Sequence, residues 1–121
     1  MDKEIENLVS ELKKYKKVIS IILFGSYAKN QVKPLSDIDI AVIIKDDDKE
    51  TETEIATYSS NKLDVVPFHR LPLYIQFEVL KYGKVLFVRN KNYFMKIKRQ
   101  VLREYLDNTY LYEKISRRVL A

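Results

Sequence analysis

Residues 21–42 read IILFGSYAKNQVKPLSDIDIAV, and this stretch sets the architecture. From Val18 to Phe24 every residue but Ser20 is apolar and most are β-branched, the pattern of a buried strand. Gly25 follows at once and gives the backbone freedom for a sharp turn. Ser26 is suited to cap a short helix over residues 27–31. A helix start reached through such a turn presents free N–H groups and the positive end of its dipole, a natural seat for phosphate. A second strand begins at Asp37 and runs through Ile44. Strand residues alternate between faces, so Asp37 and Asp39 share one face, and Ile38, Ile40, Val42 and Ile44 take the other. Two neighbouring carboxylates repel unless a cation lies between them, and hard oxygen donors suit Mg²⁺ or Mn²⁺. A phosphate seat and a cation seat on adjoining strands point to nucleoside triphosphate chemistry.

Gly25-Ser26, a ten-residue spacer and Asp37-x-Asp39 resemble the signature of the DNA polymerase β-type nucleotidyltransferases. The longer string GSYAKNQVKPLSDIDIAV resembles the minimal nucleotidyltransferases, the small antitoxin partners of HEPN-domain toxins. The likeness covers roughly residues 1–90, with the diagnostic positions in 24–44. It implies an α+β fold: a mixed sheet of about four strands flanked by helices, followed by a long C-terminal helix. Where that family commonly has Arg-Gly, this chain has Lys29-Asn30. Lys29 keeps a positive charge for nucleotide phosphates without the bidentate fork of Arg, and Asn tolerates the left-handed conformation that Gly would adopt.

The 121 residues suffice for one domain with a single core, divided here into a catalytic core over 1–90 and a helix over 91–121 available to a partner. No cysteine is present, which excludes disulfides and thiolate metal sites and fits a reducing cytoplasm. The longest apolar run is too short to span a bilayer, and the first residues lack the apolar core of a signal peptide. Charge is divided unevenly. Residues 1–60 hold 9 Lys and Arg against 12 Asp and Glu, and residues 61–121 hold 13 against 5. The basic half can attract an anionic partner or simply form a solvated face.

Outward from the central stretch, Asp2 to Lys17 reads as a first helix with Ile5, Leu8, Val9, Leu12 and Tyr15 on one stripe. Asp46-Asp47-Asp48 reads as a solvated turn, and residues 49–61 as a mobile or partly helical connection. Lys62 to Phe68 reads as a strand in which Asp64 interrupts an apolar run, an unfavourable place for a lone carboxylate. If this strand lies beside the Asp37–Ile44 strand, Asp64 completes a three-carboxylate set; Glu50, Glu52 and Glu54 are weaker alternatives on the polar connector. His69 and Arg70 read as surface loop or cleft lining. Residues 71–83 form a helix with Pro72 in its first turn and Gly83 at its stop, then Lys84–Val88 a last strand. Asn90 or Asn92 caps a final helix to about Arg118, with Phe94, Ile97, Val101 and Tyr105 on its buried stripe.

The resemblance implies a Mg²⁺-dependent enzyme, with two metal ions (Mn²⁺ an alternative) held by Asp37, Asp39 and Asp64 as metal ligands and catalytic residues. Gly25, Ser26 and Lys29 bind the nucleotide, and ATP is the substrate. It further implies that AMP passes to a protein, a tyrosine of a HEPN-domain ribonuclease toxin, so that the chain acts as a cytoplasmic antitoxin in a homo- or hetero-oligomer. Relatives that handle nucleic acid carry extra domains, so direct nucleic-acid binding is not expected. Two alternatives stay open: a non-catalytic toxin-binding module using the basic helix, and a small-molecule (antibiotic) nucleotidyltransferase.

Overall fold

A computed structural model describes residues 3–25 and 38–120, with the side chains of the last helix described as far as Asn108. The expected α+β architecture is present: a four-stranded mixed sheet between two pairs of helices. The strands are β1 (Val18–Phe24), β2 (Ile38–Ile44), β3 (Leu63–Pro67) and β4 (Lys84–Val88), in the order β3-β2-β1-β4. β1 runs antiparallel to β2 and to β4, and β2 runs parallel to β3. The helices are α1 (Lys3–Leu12), α2 (Lys49–Ala56), α3 (Leu73–Tyr82) and α4 (Lys91–Leu120).

Strand alternation gives the sheet two cores. Ile38, Ile40, Val42 and Ile44 pack with Ile5, Leu8 and Leu12 of α1 and Ile55 of α2. Ala41 and Ile43 pack on the opposite face with Val79 of α3 and Phe94 and Val101 of α4. The central strand β1 is buried on both faces, which is why its run is apolar without alternation. Its pairing with β2 shifts between Val18 and Ser20, a bulge-like irregularity. The buried Ser20 hydroxyl is satisfied there by donating to the Phe87 carbonyl at 2.9 Å.

Several local expectations are corrected. The first helix stops at Leu12, not Lys17. The chain beyond it turns under Arg89, whose guanidinium donates to the carbonyls of Val18 (2.9 Å), Tyr15 (3.3 Å) and Lys13. A five-donor fork collects carbonyls that a continued helix would otherwise have used. Of the two readings of 49–61, the partly helical one holds, with α2 over Lys49–Ala56. α2 is ordered there because Asp48 caps it, accepting from the Thr51 N–H at 3.0 Å and its hydroxyl at 2.7 Å, and because Ile55 enters the core. Asp46 and Asp47 form a turn with φ of 55° and 51°, a conformation short polar side chains tolerate. The Asp46 N–H donates to the Tyr93 hydroxyl, tying that turn to α4. Pro72 stands at the N-cap of α3 rather than within its first turn. Asn90 is the residue that caps α4, its side-chain oxygen accepting from the Tyr93 N–H at 3.0 Å.

Candidate active site

Three strands bring the site together at one end of the sheet. Asp39 pairs with Phe24 across the antiparallel β1–β2 ladder and with Asp64 across the parallel β2–β3 ladder. Strands in a sheet lie about 4.8 Å apart, so the two aspartates are immediate neighbours. Leu63 and Val65 belong to the α1–α2 core, as do Ile38 and Ile40. Alternation therefore sends Asp39 and Asp64 to the same face, the one covered further along by α3 and α4. Asp39 is half-buried and Asp64 is exposed.

Gly25 closes the third side. It follows β1 directly, with φ of 79°, in the left-handed region that favours glycine. A Cβ at this position would sit 2.5 Å from Oδ2 of Asp39. The bare Cα is what lets the carboxylate lie against the turn. A pocket of about 150 Å³ opens beside Gly25, walled by Phe24, Ile75, Glu78, Val79, Tyr82 and Gly83. Glu78 and Tyr82 reach this pocket only because α3 docks on the end of β1, and no spacing in the sequence signals it. Gly83 is part of the same fit. Its φ is −68°, so its role is space: a Cβ would meet the Val79 carbonyl at 2.3 Å and Ile22 Cγ2 at 2.7 Å.

Of the residues expected at the site, Gly25, Asp39 and Asp64 are brought together. Ser26, Lys29 and Asp37 lie outside the described residues. Among the described residues no set of three His, Cys, Asp or Glu side chains is arranged to hold a metal. The donors that are described, two carboxylates on neighbouring strands with like charge, fit a hard divalent cation such as Mg²⁺.

Glu52 and the histidine are engaged elsewhere. Glu52 accepts from Arg70 Nε at 2.7 Å, and this guanidinium first, then the His69 ring, holds its carboxyl below the usual range. His69 is neither surface loop nor lining of the aspartate site. It is half-buried beyond the far end of β3, with Nδ1 3.4 Å from Asp47 and Nε2 3.5 Å from Glu52. The Nδ1 contact lacks hydrogen-bond geometry, leaving that nitrogen buried without a partner beside a cavity of about 190 Å³.

Comparison with known proteins bears on the family and the fold. Residues 6–92 match the family model described as Polymerase beta, Nucleotidyltransferase. A Methanocaldococcus jannaschii protein named "Putative protein adenylyltransferase MJ1547" is 46% identical over 71 residues, 59% of this chain and 57% of that one. The chain thus spans little more than half the length of that curated relative. Among solved structures, a toxin-antitoxin with AMP-PNP superposes with a TM-score of 0.69 at 24% identity, covering 96% of this chain and 98% of that one. A tri-AMPylated Shewanella oneidensis HEPN toxin in complex with MNT antitoxin gives 0.64 at 23% identity with both chains fully covered. At these identities the structural likeness shows a shared fold. Among the described residues no helix is long and apolar enough to cross a membrane.

Proposed function

This chain belongs to the Polymerase beta nucleotidyltransferase family, and we propose that it transfers AMP from ATP to a hydroxyl of a protein partner. The observation that carries this reading is the register that seats Asp39 beside Asp64, with the Gly25 turn against the Asp39 carboxylate. Asp37, Asp39 and Asp64 are the ligands for Mg²⁺, which when bound lowers the pKa of the attacking hydroxyl and neutralises charge on the triphosphate. Gly25, Ser26 and Lys29 hold the β- and γ-phosphates through backbone N–H groups, a hydroxyl and an ammonium.

The acceptor oxygen attacks the α-phosphorus. The bond from that phosphorus to the bridging oxygen breaks, and pyrophosphate leaves on the opposite side. Asp64, the exposed member of the pair, takes the hydroxyl proton. What these residues supply is positioning and charge complementarity. ATP as the donor is supported by the AMP-PNP in the toxin-antitoxin structure, and protein as the acceptor by the name of the M. jannaschii relative. The AMPylated HEPN toxin in another structure of this fold supports a HEPN-domain toxin as the partner and this chain as its antitoxin; we further propose a tyrosine as the acceptor and the cytoplasm as the setting.

The test is to incubate the chain with ATP labelled at the α-phosphate, Mg²⁺ and a cognate HEPN-domain protein. Label should appear on the partner's tyrosine and vanish with Asp39→Asn. An intact, folded partner left unlabelled in both Mg²⁺ and Mn²⁺ would overturn the reading. Neutralisation of the toxin by Asp39→Asn would instead favour a binding module.

A further inference from the structure

One face of α4 is apolar yet uncovered. Met95, Leu102 and Leu106 are 37%, 48% and 56% exposed. Spaced i, i+7, i+11, they form a single stripe, distinct from the buried stripe of Phe94 and Val101. A groove of about 330 Å³ runs alongside, between α3 and α4, with Phe77, Leu80, Met95 and Leu102 among its lining. Phe77 stacks on Tyr105 with ring centroids 3.9 Å apart and planes 4° from parallel, which fixes the spacing of the two helices there.

The charged side chains that line this groove all have one sign. Its charged lining is Lys81, Lys98 and Arg99. By helical spacing, Lys91, Lys96 and Arg103 flank the same stripe, and the acidic Asp107 follows one turn after Arg103. The acidic Glu104 is on the other side of α4, where it lines the cavity around His69. A second copy docking about a two-fold axis would bring these cations against themselves. An apolar trough between basic walls instead matches a helix with an apolar stripe and acidic shoulders, the helix-in-groove mode of recognition.

We propose that the α3–α4 groove docks an amphipathic, acid-flanked helix of a partner protein. The apolar stripe supplies the contact area, and the basic walls supply orientation and faster encounter. The inference is independent of the nucleotide chemistry, since no groove residue belongs to the aspartate site.

The probe is a fluorescein-labelled, hydrocarbon-stapled helix of about 18 residues, five turns, with Leu at i, i+4, i+7 and i+11 and Glu on both flanks. Its control has Lys in place of Glu. The full chain should bind the Glu-flanked helix in preference, more tightly at low salt. Leu102→Glu should weaken binding by about tenfold or more with an unchanged Tm, and the double variant Lys81→Glu, Arg99→Glu should reverse the preference. Equal binding of the two helices, no effect of either variant, tighter binding of single-stranded DNA or phosphatidylglycerol vesicles, or self-association through Leu102 would each overturn it. Stabilisation by Mg·ATP, measured on the same preparations, reports on the aspartate site separately.

Discussion

The carboxylate of Asp39 lies against the Cα of Gly25, so closely that a Cβ there would stand 2.5 Å from Oδ2. The Gly25 turn and the strand that carries Asp39 are therefore in direct contact. Gly25→Ala should fail for two reasons: a side chain at φ of 79° costs about 1–2 kcal/mol, and its methyl must displace the acid. The expected outcome is a Tm lower by a few degrees and loss of stabilisation by Mg·ATP, both read by thermal unfolding.

Asp39 and Asp64 are held together by strand register. Asp39→Asn or Asp64→Asn should lower AMP transfer by at least about 10²-fold, the scale on which removal of a single transition-state stabiliser acts. In metal-free buffer Asp64→Asn should be slightly more stable than the parent, because like-charge repulsion with Asp39 is relieved. A calorimetric comparison with and without Mg²⁺ checks both signs.

Gly83 is needed for room, with the Val79 carbonyl and the Ile22 side chain where its Cβ would be. Gly83→Ala should cost about 1–3 kcal/mol by overpacking between α3 and β1. Chemical denaturation measures it, and the free energy should fall without a change in m-value.

Arg89 gathers the carbonyls of Lys13, Tyr15 and Val18. Arg89→Lys loses the fork while keeping the charge, and about 1–2 kcal/mol of stability should go with it, measured by the same unfolding curves.

Hydrogen bonds from Thr51, then Lys17, hold the Asp48 carboxyl below its ordinary range. A depressed folded-state value stabilises the protein above the ordinary carboxylate range and loses that contribution as pH falls through it. The Tm of the parent should therefore fall more steeply than that of Asp48→Asn on acidification below about pH 4. Tm measured across that range for both proteins tests the slope.

Local sequence determined much of this protein. The apolar run at Val18–Phe24, the alternation at Ile38–Ile44 and the caps at Asp48 and Asn90 each act within a few residues, over the distances that strand and helix periodicity spans. Gly25 and Asp39 could be named as site residues for the same reason: one turn and one strand carry them. What the sequence could not state was which strand lies beside which. Asp64 joins Asp39 only because β3 pairs parallel to β2 after a crossover through α2, and that pairing is fixed by burial of Ile38, Ile40, Leu63, Val65 and Ile55 in one core. The ends of α1, the order in α2, the burial of His69 between Asp47 and Glu52, and the pocket beside Gly25 depend likewise on contacts between distant segments. Periodicity is written one turn at a time, whereas these contacts follow from how separately formed faces share one interior.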